Sequence, residues 1–162
     1  MDLRQATRSD LDAIQRVAER SWTVDYPDFT SRESVTEGVH EWYSDARLEA
    51  EIDRGDAAVL VAERAGEIVG FTHAAWSGDE GDVMRVYVDP DHRGQGVGSA
   101  LLESAVATLF ERDVAEVRAM VLADNDPGNE FYRSHGFERE EETHETRIAD
   151  EFYDEHVWKL AR

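Results

Sequence analysis

The sequence predicts an α/β (α+β) fold, with one mixed, mostly antiparallel central sheet of about six or seven strands and helices on both faces. Three observations carry this expectation. The 162 residues suit one compact domain spanning 1–162. Period-two apolar segments bounded by turn residues recur between residues 57 and 88. A long helical pattern over 96–112 joins two strand patterns, which demands a parallel pair inside a sheet otherwise built from hairpins.

In chain order, 3–6 is a short strand. Ser9 or Asp10 then caps a helix carrying Leu11, Ile14, Val17 and Ala18 at three-to-four spacing. Tyr26-Pro27-Asp28 breaks that pattern. Residues 31–53 give one or two acidic helices with Val35, Val39, Trp42, Leu48 and Ile52 inward. Strands over 57–63 and 67–76 meet at the Arg64-Ala65-Gly66 turn, and a second turn at 77–81 leads to a third strand, 82–88. Helix 96–112 follows, with Val97, Ala100, Leu101, Ala105 and Leu109 on a broad apolar face. Strand 116–122, a short helix over 128–134 closed by Gly136, and strands over 138–147 and 155–160 complete the chain.

Composition narrows the function. Seventeen Lys and Arg against 37 Asp and Glu give a net charge of −20, which repels phosphate backbones and anionic lipid. Neither nucleic-acid nor membrane-surface binding is expected. Cysteine is absent, which removes disulfides, thiolate metal sites and an acyl-Cys intermediate. No apolar run reaches the ~18–20 residues of a membrane span, and Met1-Asp2-Leu3-Arg4-Gln5 lacks a signal-peptide head, so a cytoplasmic protein is expected. Lys159 is the one lysine. An acid excess with almost no lysine describes a surface fitted to concentrated salt, as in a halophile; an ordinary acidic enzyme is the plainer alternative.

The chemistry concentrates in Val83-Met84-Arg85-Val86-Tyr87-Val88-Asp89-Pro90-Asp91-His92-Arg93-Gly94-Gln95-Gly96-Val97-Gly98-Ser99, where a strand runs through a glycine-rich turn into a helix. Free amides of such a turn, together with the helix dipole, favour a pyrophosphate. A Walker A loop needs a lysine that this turn lacks. The dinucleotide fingerprint fails at Ser99, and the preceding strands form a meander rather than a βαβ unit. What survives is Arg-x-x-Gly-x-Gly at Arg93, Gly96 and Gly98.

Residues 83–102 resemble the acetyl-CoA-binding motif of the GNAT superfamily of N-acyltransferases. A second segment, Asn125-Asp126-Pro127-Gly128-Asn129-Glu130-Phe131-Tyr132-Arg133-Ser134-His135-Gly136-Phe137, is similar to that family's Asn-x-x-Ala-x-x-Phe-Tyr-x-x-x-Gly-Phe, with Pro127-Gly128 replacing x-Ala. The order of elements from residue 3 to 160 agrees with the family as well.

The resemblance implies the GNAT-type acyltransferase fold and direct transfer of an acetyl group from acetyl-CoA to an amine of a small molecule or peptide, with no metal. Arg93, Gly94, Gln95, Gly96, Val97, Gly98 and Ser99 would hold the CoA pyrophosphate. The strand ending at Val88 would splay from its neighbour at a bulge, so that the backbones of Val86 and Val88 pair with the pantetheine arm. An amide near Val86–Tyr87 would polarise the thioester carbonyl. Asn125 would hold the pantetheine, and Tyr132 would protonate the departing thiolate. A tight turn without ligand, a turn-forming Asn125 and a core Tyr132 are the plainer readings.

The residues leave the base open among Asp82, Glu80, His73 and water. Metal readings fail. Asp124-Asn125-Asp126-Pro127-Gly128 puts glycine at position five and His135 at twelve of a calcium loop, and the histidines lack zinc spacing. No Gly-x-Ser-x-Gly elbow occurs. The unassigned base also admits a non-catalytic acyl-CoA-binding sensor or interaction module. The acceptor side is expected within 21–53. Trp22, Tyr26, Phe29, Trp42 and Tyr43 are wall or core there, and Asp25, Asp28, Glu33, Glu37 and Glu41 hint at a cationic acceptor. A homodimer through an edge strand is compatible with families of this kind.

Overall fold

The computed structural model describes residues 1–25, 43–148 and 151–162. Strand β1 (Asp2–Gln5) leads through a 3-10 turn (Arg8–Asp10) into α1 (Leu11–Asp25), and α2 (Asp45–Asp53) follows. A meander of β2 (Ala57–Arg64), β3 (Glu67–Ser77) and β4 (Glu80–Val88) comes next, then a 3-10 turn (Pro90–His92) and α3 (Val97–Glu111). The chain ends with β5 (Glu116–Leu122), α4 (Asp126–Ser134), β6 (Glu138–Ile148) and β7 (Glu151–Ala161). Expectations for Tyr26, Asp28, Phe29, Glu33, Val35, Glu37, Val39, Glu41 and Trp42 lie outside the described residues, as does the side chain of Asp25.

The seven strands form one mixed sheet in the order β1-β2-β3-β4-β5-β7-β6. Among the described residues only β4 and β5 run parallel, as the helix between them requires. The insertion of β7 between β5 and β6 was not legible in the sequence order, but side-chain chemistry explains it. Strand β7 carries Val157 and Trp158, both 2% exposed, whereas β6 reads Glu-Arg-Glu-Glu-Glu-Thr-His-Glu-Thr-Arg-Ile and suits a solvated edge.

Local boundaries shift for local reasons. The first helix is entered one turn earlier than expected, through Thr7. The Asp10 carboxylate accepts the Thr7 amide at 2.8 Å and both terminal nitrogens of Arg4 at 2.8 and 3.0 Å. The β2–β3 turn tightens to Ala65 and Gly66, whose φ angles of 53° and 80° are those of a two-residue type I′ hairpin.

Helices cover both faces. Helix α1 buries Leu11, Ile14, Val17 and Ala18 against Val59, Val61 and Phe71 on one side. On the other, Leu101, Leu102, Ala105 and Leu109 of α3 are at most 1% exposed. A Cβ at Gly70 would stand 2.9 Å from the Tyr87 carbonyl and 3.0 Å from Leu101, so glycine there lets α3 sit close to the sheet. Among the described residues, no helix is long and apolar enough to cross a membrane.

Candidate active site

The parallel pairing of β4 and β5 is short. It runs from Glu80 opposite Glu116 to Val83 opposite Ala119 and then stops. At that point the β3–β4 register slips, with His73 facing Arg85 and Ala74 facing Val83, so Met84 is an extra, bulged residue. Beyond the bulge β4 follows β3 as far as Gly70 opposite Val88, while β5 follows β7 as far as Leu122 opposite Glu155. The two strands therefore part, and a cleft of about 620 Å3 opens between them.

Backbone phase decides what faces this wedge. The Asp89 amide donates to the Val69 carbonyl at 2.8 Å, on the β3 side. Alternation then directs the main-chain groups of Val86 and Val88 into the wedge and those of Tyr87 toward β3. Of the amides at Val86 and Tyr87, that of Val86 faces the wedge; Tyr87 contributes its ring. The Val88 carbonyl also accepts from Ser21 Oγ at 3.1 Å and Arg93 Nε at 3.4 Å, which ties α1 and the turn to the end of β4.

At the mouth, Gly94 and Gly96 take φ values of 75° and 82°, a conformation that side-chain-bearing residues rarely adopt. Gly96 is the N-cap of α3. Among the described residues, nothing accepts from the amides of residues 96–99, which leaves the first turn of α3 as an anion cradle. Arg93, Gly94, Gly96, Val97, Gly98 and Ser99 all line the cleft. Gln95 does not: its side-chain oxygen accepts from Arg64 on β2, because the turn points it back over the hairpin. Ser99 Oγ lies 3.0 Å from His135 Nε2, and His135 Nδ1 lies 2.7 Å from the Phe131 carbonyl. The carbonyl can only accept, so Nδ1 is the donor there, and the hydrogen bond between Ser99 Oγ and Nε2 ties α3 to α4.

Tyr132 reaches the cleft from α4 and is 7% exposed. Burial pushes its phenol well above the ordinary value, so it remains a proton donor. Its hydroxyl makes no hydrogen bond among the described residues, although the ring packs edge-on to Phe131 and Phe137 at 5.2 and 5.3 Å. Asn125 lines the cleft and also caps α4, its Oδ1 accepting from Gly128 at 3.1 Å. The departure from the family pattern at Gly128 has a steric cause, since a Cβ there would lie 2.6 Å from Asn125 Nδ2. Asn129 holds the neighbourhood together, donating to the Leu122 carbonyl at 3.1 Å and accepting from Trp158 Nε1 at 2.8 Å.

The three side chains considered as bases are scattered. His73 is 1% exposed on β3, does not line the cleft, and its Nδ1 faces Arg85 at 2.6 Å. Burial and then the Arg85 charge lower its pKa to about 3, so the ring is a neutral core group, not a base for this cleft. Glu80 sits exposed at the start of β4, outside the cleft. Asp82 does line the cleft, paired with Arg118 at 3.2 Å. Trp22 and Tyr43 are at once core and wall: both are buried, pack edge-on at 5.8 Å and border the cleft.

Sequence reasoning missed Arg85, Arg118 and Glu155. Arg85 is 7% exposed, 3.3 Å from Glu51 and 4.9 Å from the Tyr43 ring centre. With Arg93 these arginines give a cationic lining to an acidic protein; the lining carboxylates are Asp82 and Glu155. The signal for Arg85 was its place inside an otherwise apolar strand. Glu155 gave none among so many acids. Among the described residues no group of three or more His, Asp or Glu side chains is placed to hold a metal.

The profile of the acetyltransferase (GNAT) domain matches residues 55–139. Over 158 residues the chain is 26% identical to the spermidine N(1)-acetyltransferase of Thermoplasma acidophilum, a match spanning 95% of this chain and 98% of that protein. An uncharacterized N-acetyltransferase of Archaeoglobus fulgidus is 29% identical over 150 residues, covering 87% of this chain and 95% of the relative. The crystal structure of the PaiA N-acetyltransferase of Thermoplasma acidophilum in complex with coenzyme A superposes with a TM-score of 0.88. It shares 24% identity, over 99% of this chain and 98% of that one.

Proposed function

The chain belongs to the GNAT family of acetyltransferases, and from that premise we propose that it binds acetyl-CoA in the β4–β5 wedge and passes the acetyl group directly to a primary amine of a small molecule or peptide. Membership makes it an enzyme, an N-acetyltransferase, rather than a sensor module. The observation that carries the reading is the parting of β4 from β5 at the Met84 bulge, with amides at one end and a phenol inside that have no hydrogen-bond partner among the described residues.

In this reading the amides of residues 96–99 hold the diphosphate, and the main-chain groups of Val86 and Val88 pair with the pantetheine as an added strand. The Val86 amide stabilises the negative charge that develops on the thioester oxygen. Tyr132 gives its proton to the departing thiolate. In water that transfer is uphill by about 2 kcal/mol, from a phenol near 10 to a thiol near 8.5. A shared dry cleft raises both pKa values, so the gap stays small. The coenzyme A complex of the superposed relative supports the wedge as the cofactor site.

The acceptor class is a primary amine on a flexible chain, supported by the spermidine relative. The acid excess supports a cytoplasmic enzyme that works in concentrated salt. Calorimetric titration with acetyl-CoA in concentrated KCl, followed by thiol release against an amine panel that includes spermidine, tests the proposal. Binding and amine-dependent release are expected; no binding at high micromolar acetyl-CoA overturns it.

A further inference from the structure

Resting on that reading of the wedge, we infer that Glu155 is the acceptor-binding carboxylate, holding the ammonium of an alkylamine at the mouth opposite the diphosphate cradle. The argument begins with the faces of the sheet. Val86 and Val88 pack with Val97 and Leu101 of α3, so the cradle belongs to that side. Leu122 packs in the α1 core with Phe71 and Tyr43, on the opposite side. Glu155 is directly opposite Leu122 in the β5–β7 ladder, and opposed residues share a face. The cleft thus passes through the sheet, with the cradle at one end and Glu155 at the other.

Charge accounting singles Glu155 out. Of the two carboxylates lining the cleft, Asp82 is already paired with Arg118 at 3.2 Å. Glu155 is half-buried and has no hydrogen bond or ion pair among the described residues. His144 stands opposite it on β6, but its Nε2 is 3.8 Å from Glu140. Burial raises the pKa of this carboxylate while the facing His144 acts the other way, and no hydrogen bond or ion pair among the described residues neutralises it. A bound ammonium supplies the missing charge.

The surroundings specify the rest of the ligand. Met120 and Met84 line the same cleft while 45% and 44% exposed, and Met120 shares the face of Leu122 and Glu155. Thioether side chains beside a lone carboxylate suit methylenes ending in an ammonium. They do not suit a carboxylate-bearing or sugar acceptor.

Steady-state kinetics of wild type, Glu155→Gln and Glu155→Asp with spermidine as probe, beside acetyl-CoA titration of each, tests the assignment. Wild type is expected to acetylate spermidine. Glu155→Gln should raise its KM about 10- to 100-fold, the worth of a charged hydrogen bond. Its kcat should change far less, acetyl-CoA affinity should be unaltered, and Glu155→Asp should recover part of the KM. A Glu155→Gln KM within threefold of an active wild type overturns the assignment. So does a wild type that binds acetyl-CoA but leaves spermidine untouched. Failure of wild type to bind acetyl-CoA instead removes the reading of the wedge itself.

Discussion

Replacing Tyr132 with Phe removes one oxygen and nothing else. The side chain is 7% exposed, its ring contacts with Phe131 and Phe137 survive, and its hydroxyl has no hydrogen-bond partner among the described residues. Deleting it therefore forfeits no internal bond and opens no cavity. Unfolding free energy should stay within about 0.5 kcal/mol of wild type, or ~1–2 °C in Tm for a domain of this size. A positioned general acid contributes about 100- to 10,000-fold, equivalent to about 2.7–5.4 kcal/mol of barrier. Thiol release with an amine acceptor should show that loss in kcat, with acetyl-CoA Kd within about threefold of wild type because the hydroxyl acts on the transition state. A kcat within threefold of wild type would refute the reasoning and return Tyr132 to the core. Equal losses in Kd and kcat would make it a binding residue instead.

The cradle and its neighbours make further claims. Gly96→Ala meets no atom within 4 Å, so its cost comes from the left-handed φ of 82°, about 1–2 kcal/mol in urea unfolding, with weakened acetyl-CoA binding alongside. Gly128→Ala puts a methyl 2.6 Å from Asn125 Nδ2 and should displace that side chain; a loss of one net hydrogen bond, roughly fivefold in acetyl-CoA Kd by calorimetry, is expected. Asp10 has its pKa lowered, first by the hydrogen bond from Arg4, so its contribution is present above the unfolded value near 3.9 and is lost as pH falls through the folded value. Asp10→Asn should cost about 1–3 kcal/mol at neutral pH by thermal unfolding, the gap from wild type closing below about pH 4.

Much of this was legible in the chain because it depends on local chemistry. Period-two runs at 57–88 and the helical face of Leu101, Ala105 and Leu109 demanded a hairpin meander followed by a helical crossover, and the parallel β4–β5 pair follows from those alone. The glycine-rich turn between strand and helix was legible because the positive φ seen at Gly94 and Gly96 is a property of single residues. The direction of the Gln95 side chain was not legible, because belonging to a loop does not say which way a side chain leaves it; Arg64, 31 residues earlier, draws it out of the cleft. His73 lost its candidacy to Arg85, a partner visible only across the register of two strands. Glu155 was invisible for a third reason. Its distinction from the other acids is to line the cleft half-buried with no hydrogen bond or ion pair among the described residues, and that is a property of packing.

Titrating coenzyme A into 15N-labelled protein while following every backbone amide tests the central claim most directly. The account predicts that the largest shifts fall on residues 96–99 and on Val86 and Val88, with the far ends of β1 and β6 unmoved. Saturable binding that leaves those amides in place and shifts another surface would contradict it.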